Sequence, residues 1–187
     1  MIKKDNLEDR LQQPMKNKII TQLYESPCGE MIIGSLNGKL CLCDWTTGRI
    51  RHNINKRLQK AFDAKFEIGS SPVISRTIEQ LNEYFAGKRQ KFTIPLQLAG
   101  TDFQKAVWQE LMEIPYGKTI SYSELANKTG DPKSVRAVAN ANKNNAISIL
   151  VPCHRVIGKD GSLTGYGGGM AAKQYLIELE KRETLIL

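Results

Sequence analysis

Asn37-Gly38 lies between two apolar runs of β-type residues, Glu30-Met31-Ile32-Ile33-Gly34-Ser35 and Lys39-Leu40-Cys41-Leu42-Cys43-Asp44-Trp45. Asn-Gly accepts positive φ at both central positions of the two-residue turn whose twist matches that of paired strands, so these runs are predicted to close into a hairpin. Thr21-Gln22-Leu23-Tyr24 supplies a further strand ahead of them. Beyond the Thr46-Thr47-Gly48 loop the spacing turns helical, with Leu58, Ala61 and Phe62 inside residues 53–65. Ser71 then caps, and Pro72 opens, a second helix running through Ile74, Ile78, Leu81 and Phe85 to Gly87. Residues 19–96 therefore read as a β-meander with helices, and residues 1–18 as a polar, non-periodic arm.

Residues 97–187 have a different texture. The extended Lys91–Leu96 stretch leads through Gly100 to Thr101, the cap of an amphipathic helix bearing Phe103, Val107, Trp108, Leu111 and Met112, which Pro115-Tyr116-Gly117 ends. Ser121 to Ala126 opens with a capping-box pattern, Gly130-Asp131-Pro132 breaks it, and residues 133–144 resume it, which is the form of a helix-turn-helix. Its second helix carries small Ala137, Ala139 and Ala141 beside Arg136, Lys143 and several asparagines. Small residues let a helix approach a groove floor, and they equally let it pack against another helix, so both readings stand at this level. The fold class is α/β of the α+β kind: an N-terminal sheet with helices, and a mostly helical C-terminal domain.

Charge narrows the partner class. Lys and Arg total 27 against 19 Asp and Glu, which suits a polyanion, but residues 1–98 hold 16 basic and 10 acidic side chains whereas residues 99–187 hold 11 and 9. No apolar run approaches the ~20 residues of a membrane span and the N-terminus has no apolar signal core, so a cytoplasmic protein off the membrane is expected; a monomer is expected as well. The four cysteines do not form a disulfide framework. Cys28, Cys41 and Cys43 read as buried thiols, the last two on one strand face. His52 and His154 are too few to complete a zinc site, so no metal is expected. Gly165-Tyr166-Gly167-Gly168-Gly169 lacks the dinucleotide and P-loop spacings, which leaves no nucleotide cofactor, but it lets backbone N–H groups approach a ligand.

The chemistry gathers at Pro152-Cys153-His154-Arg155-Val156, delivered by the apolar β-type run Ile147–Val151. An isolated Cys-His pair is more often a core thiol beside a surface histidine. Here the flanking proline, arginine and glycine loop favour a reactive thiol. Neighbours in extended chain point to opposite sides, so a water should link Cys153 to His154, with Arg155 adding positive charge nearby. The histidine then needs an acidic orienting group. On the amphipathic stretch Lys173–Glu180, Leu176 and Leu179 face inward and Glu180 can join them, while Glu178 and Glu183 face solvent.

These residues, with Asn145 upstream and Tyr166, paired glycines and a Leu-x-x-x-Glu helix downstream, resemble the O6-alkylguanine-DNA alkyltransferases, or methylated-DNA-protein-cysteine methyltransferases, strongly over about residues 99–182; Ser26-Pro27-Cys28-Gly29 looks like their N-terminal domain, a ribonuclease-H-like unit. The resemblance implies direct, stoichiometric and irreversible transfer of an alkyl group from O6-alkylguanine in duplex DNA to Cys153, without cofactor, after base flipping. His154 is similar to the water-linked base, Glu180 to its partner and Asn145 to the brace of the active-site turn. Tyr122 resembles the tyrosine that rotates the nucleotide and hydrogen-bonds the guanine ring, and Arg136 the finger that fills the stack. Ala137 and Asn140 fall on the DNA-docking helix, which implies minor-groove binding with low sequence specificity. Cys153, Arg155, Val156, Tyr166 and Gly167 fall around the guanine pocket. The chain departs from the family pattern at Gly167, where serine or alanine is common, so that any contact to the guanine oxygen there comes from backbone N–H; at Asn140, where a small residue is common; and at Ala146, where proline often follows the asparagine. The rival classes are a cysteine hydrolase using Cys153 and His154, which would turn over, and a DNA-binding regulator, which leaves Cys153, His154 and Glu180 unexplained.

Overall fold

The computed structural model describes residues 15–48 and 50–184. Most of the expected N-terminal arm lies outside these residues; Asn17 and Lys18, within them, already belong to the first strand. Strands β1 (Asn17–Ser26), β2 (Gly29–Leu36) and β3 (Lys39–Trp45) form an antiparallel meander. Its hairpin turns through Asn37 (φ 50°) and Gly38 (φ 76°), as the dipeptide requires.

Helix α1 (Arg51–Phe62) begins two residues ahead of the stretch its apolar spacing predicts and ends three residues before that stretch does, because Asp63 adopts the left-handed conformation (φ 46°) and stops it. An unanticipated strand, β4 (Ala64–Ile68), follows and pairs parallel to β1, which gives the sheet order β3-β2-β1-β4. As the crossover between β3 and β4, α1 packs Ile54 and Leu58 over Ile19, Leu36, Leu42 and Ala64; each such buried aliphatic side chain contributes about 1.5–3 kcal/mol. Cys41 and Cys43 do not share an environment. The β2–β3 register shifts at Gly34/Ser35 and leaves Cys41 opposite no partner, so Cys41 packs under α1 and Cys43 in the main core.

Helix α2 (Pro72–Phe85) starts where Ser71 accepts from the Ile74 N–H at 3.2 Å, and it turns Val73, Ile74, Leu81 and Tyr84 inward. In the second half come α3 (Asp102–Met112), whose capping box joins Thr101 and Gln104, then α4 (Tyr122–Lys128), capped by Ser121 with Glu124, and α5 (Val135–Lys143). Helix α6 (Gly169–Thr184) ends the described chain. A short parallel pair, β5 (Ile120–Ser121) and β6 (Val156–Ile157), ties the start of α4 to the segment after the cysteine. Helix α5 buries Val138, Ala141 and Asn142 and exposes Arg136, Ala137, Asn140 and Lys143.

The two halves share one apolar core in which Trp45, Leu81 and Tyr84 join Trp108, Leu111, Leu125, Val151 and Leu176. They also share a backbone seam. On the free edge of β3, Leu40 bonds to Pro95 and Gln97, and Cys43 bonds to Ala146 and Ser148 at 2.8 and 2.6 Å. Covering an edge strand satisfies its backbone groups, and here it fixes the segment leading to Cys153. That segment is not the strand its apolar residues suggest. Residues 147–151 form a tight loop with Ile149 at φ 73°, a strained conformation for a β-branched residue, because the Asn145 side chain binds both ends, accepting from the Ile147 N–H at 2.9 Å and donating to the Val151 carbonyl at 2.8 Å. Among the described residues no helix is long and apolar enough to cross a membrane.

Candidate active site

Cys153, His154 and Arg155 form one turn of 3-10 helix directly after the braced loop, rather than extended chain. The side chains still diverge. His154 is fully buried and its Nε2 lies 2.8 Å from Glu180 Oε1, while its buried Nδ1 has no hydrogen-bond partner among the described residues. Glu180, 1% exposed on the inner face of α6, accepts from the Tyr84 hydroxyl (2.8 Å), the Gly117 N–H (3.1 Å), and Arg155 through Nε (2.9 Å) and its second terminal nitrogen (3.0 Å). Glu178 is exposed, as expected, and the Glu183 side chain lies outside the described residues.

The charge states follow from these contacts. Burial pushes the Glu180 carboxyl up, but the hydrogen bonds and charges of His154 and Arg155 outweigh it and bring the group down to about 2. Burial pulls the His154 imidazole below its ordinary value against the pull of Glu180. A neutral imidazole facing an ionised carboxylate carries its proton on Nε2, which leaves Nδ1 as a lone-pair acceptor. Burial pushes the Cys153 thiol up to about 11, against hydrogen bonding with Asn145 and Ser148 and the charge of Lys173, with Asp44 adding to the rise. The resting group is a thiol, so its use as a nucleophile requires a base.

Arg155 differs from its expected place near substrate. Only 7% exposed, it gives its guanidinium to Glu180 and to the Ile114 carbonyl (2.6 Å) and lies over the Tyr116 ring at 5.7 Å. The local cation is instead Lys173, which the sequence reading passed over. Fully buried on α6, its Nζ donates to the carbonyls of Val156 (2.6 Å) and Thr164 (3.0 Å) and sits 5.9 Å from the Tyr122 ring centre; burial draws this ammonium down to about 8. Tyr122 directs its hydroxyl toward the Thr164 carbonyl at 3.5 Å. Val156 is fully buried, with its N–H bonded to Cys153.

The N-terminal half reaches the pocket through Asp44, also unforeseen. Its carboxylate accepts from Ser148 Oγ (3.2 Å) and pairs with Arg51 (3.2 Å), and it lines the pocket with Cys153, Asn145, Tyr166 and Gly167. The glycine loop is packed rather than loose. Tyr166 meets Trp45 edge-on at 5.1 Å with its hydroxyl buried and without a hydrogen-bond partner among the described residues, and a Cβ on Gly168 would stand 2.5–2.6 Å from the Trp45 ring. Gly168→Ala should therefore lower stability by about 1–3 kcal/mol in urea unfolding, through overpacking against Trp45; an unchanged midpoint would show that the loop yields freely. Arg136, Ala137 and Asn140, on the exposed face of α5, are not among the residues that line this pocket, which α5 reaches through Asn142 and Lys143. Among the described residues no group of His, Cys, Asp and Glu is arranged to hold a metal.

Residues 19–98 match the family model for the ribonuclease-like domain of 6-O-methylguanine DNA methyltransferase, and residues 102–182 match that for its DNA binding domain. A methylated-DNA–protein-cysteine methyltransferase of Methanosarcina barkeri is 41% identical over 159 residues, covering 85% of this chain and 95% of that protein. One from Mycobacterium bovis is 56% identical over 107 residues, or 57% of this chain, a match spanning 65% of that relative's own length. Among solved structures, Mycobacterium tuberculosis OGT in complex with DNA superposes with a TM-score of 0.74 at 40% identity, over 89% of this chain and 94% of that one. With both halves matched by the family's models, and a 41% identical relative covered almost end to end, the chain belongs to the 6-O-methylguanine DNA methyltransferase family.

Proposed function

We propose that this protein repairs DNA by moving the alkyl group of O6-alkylguanine onto its own Cys153, once per molecule. The observation that carries this reading is the buried Cys153 thiol beside His154, whose Nε2 is committed to an ionised Glu180 while Nδ1 keeps a free lone pair. Through a bridging water Nδ1 takes the thiol proton. The thiolate attacks the alkyl carbon in line, the S–C bond forms, and the C–O electron pair returns to guanine, which leaves hydrogen-bonded to Tyr122. The thioether has no good leaving group and does not revert, so protein and product accumulate in equal amounts.

A thiol only 4% exposed cannot reach a stacked base, so the target nucleotide must leave the duplex. In this reading α4 and α5 act as a helix-turn-helix that lays Ala137 and Asn140 against the minor groove, with little sequence preference, and Arg136 enters the gap in the stack. Gly167 offers backbone N–H to the guanine oxygen, and the Cys153 and Val156 backbones line the base. Residues 19–96 serve as a scaffold and residues 97–187 as the DNA-binding and acceptor unit, working as a monomer in the cytoplasm, where a free thiol meets genomic DNA.

Titrating a labelled O6-methylguanine duplex against the protein tests the reading: the methyl removed should plateau at one equivalent, and continued turnover would favour a hydrolase instead. Arg136→Ala should slow repair of duplex DNA by roughly 10–100-fold, since unstacking costs a few kcal/mol, and slow repair of the free base little. Equal losses on duplex and free base would assign Arg136 a structural role.

A further inference from the structure

Helix α1 contains no acidic residue and carries Arg51, His52, Lys56, Arg57 and Lys60. It belongs to the N-terminal half, where most of the surplus positive charge lies, yet it is fastened to the proposed DNA face at two places. At its start, Gly48 and Ile50 line the pocket with Cys153 and Tyr166, and Gly48 approaches the Gly167 carbonyl so closely that an added Cβ would stand 3.3 Å from it. Farther along, Arg57 donates to the Asn144 carbonyl at 2.7 Å and lies over Trp108 at 5.4 Å, while Trp108 Nε1 donates to the Ala141 carbonyl at 2.9 Å. Two donors, one from each half, thus hold carbonyls at the C-terminal end of α5, where positive charge also complements the helix dipole.

With about 100° of rotation per residue, Lys60 and Lys56 stand roughly 60° and 100° round α1 from Arg57, on the side away from buried Ile54 and Leu58. Both are exposed, neither is paired with a carboxylate among the described residues, and exposed Lys143 on the last turn of α5 lies next to the Arg57–Asn144 contact. Lys133, Arg136 and Lys143 are the exposed cations of α5 and its approach, and the Arg57–Asn144 bond joins the end of that helix to α1, which carries exposed Lys56 and Lys60.

We propose that Lys56 and Lys60 are a second DNA contact, gripping duplex phosphates beyond the end of α5. The proposal rests on the duplex-repair reading for its biological use. It explains why a C-terminal half with nearly balanced charge can hold a polyanion. Phosphate contacts add affinity without sequence information, which suits a protein that must act in any context.

The test compares the full chain with Lys56→Ala/Lys60→Ala and Lys56→Arg/Lys60→Arg on an undamaged duplex of about 20 base pairs. Each phosphate contact contributes roughly 0.9 to the slope of log affinity against log salt, so the alanine pair should flatten the slope by about 2 and weaken binding about tenfold at 0.1 M salt. The arginine pair should restore both, and the rate of alkyl transfer from free O6-benzylguanine should not change in either variant. Unchanged slope and affinity in the alanine variant overturn the proposal, as does an equal loss on the free base, which would mean that α1 only supports the fold. A wild type that binds duplex with the expected slope but accepts no alkyl group would overturn the repair reading while leaving the phosphate contact standing.

Discussion

Cys153→Ser is expected to transfer no methyl at all while still folding and binding duplex DNA. The substitution replaces sulfur by oxygen at a site 4% exposed, and the hydroxyl inherits the hydrogen bonding with Asn145 and Ser148, so stability should fall by no more than about 1–3 kcal/mol. The chemistry suffers far more. An alkyl carbon on oxygen is displaced by a soft anionic nucleophile, and a serine hydroxyl, being much less acidic than a thiol, stays protonated beside a neutral imidazole. DNA binding depends on other residues, the exposed face of α5 in this account. Loss of methyl transfer with retained duplex affinity in a gel-shift measurement is the expected pair of results; residual stoichiometric transfer would remove Cys153 from its role.

Glu180→Gln should have the next largest effect, on rate and stability together. The amide keeps the shape and loses the charge facing buried Arg155, and uncompensated buried charge costs about 3–5 kcal/mol. An amide also presents N–H groups, so it can donate to His154 Nε2 and drive the ring proton to Nδ1, where it can no longer take one from the thiol. Transfer at neutral pH should therefore drop sharply and recover in part at alkaline pH, as Cys153 begins to ionise unaided toward about 11. The stability term has its own pH signature. A carboxyl at about 2 in the folded protein, against roughly 4.3 unfolded, stabilises fully above the higher value and loses that contribution as pH falls through the folded one. The stability gap between wild type and Glu180→Gln should thus be widest near neutrality and close between about pH 4.5 and 2 in urea unfolding. A rate equal to wild type at every pH would exclude Glu180 from the relay, and a pH-independent gap would exclude it as the buried anion.

The parts legible in the sequence were those set by local chemistry. Asn37-Gly38 announced the hairpin, and Ser71, Thr101 and Ser121 announced their helices, because turn and cap preferences act over a few residues. Glu180 was legible because its spacing from Leu176 fixes its face. Strand β4 was missed because residues 53–65 keep helical spacing through the point where Asp63 turns left-handed. The loop at 147–151 read as a strand because its apolar residues are buried by tertiary contacts, and its shape comes from Asn145. Arg155 was misplaced because its partners, Glu180 and Ile114, are remote in sequence. Asp44 and Tyr84 were invisible as site residues for the same reason, reaching Ser148 and Glu180 across 104 and 96 positions. Lys173 could have been found: three residues before Leu176 and seven before Glu180, it shares their face, and a lysine there has to bury its charge against carbonyls.

The central claim is that Cys153 itself carries away the lesion. Intact-protein mass spectrometry after incubation with an O6-methylguanine oligonucleotide tests it most directly, with peptide mapping of the product. The account predicts one added methyl per molecule, located on the Cys153 peptide, alongside an oligonucleotide restored to guanine. Restored DNA with unmodified protein, or a methyl on any other residue, would contradict it.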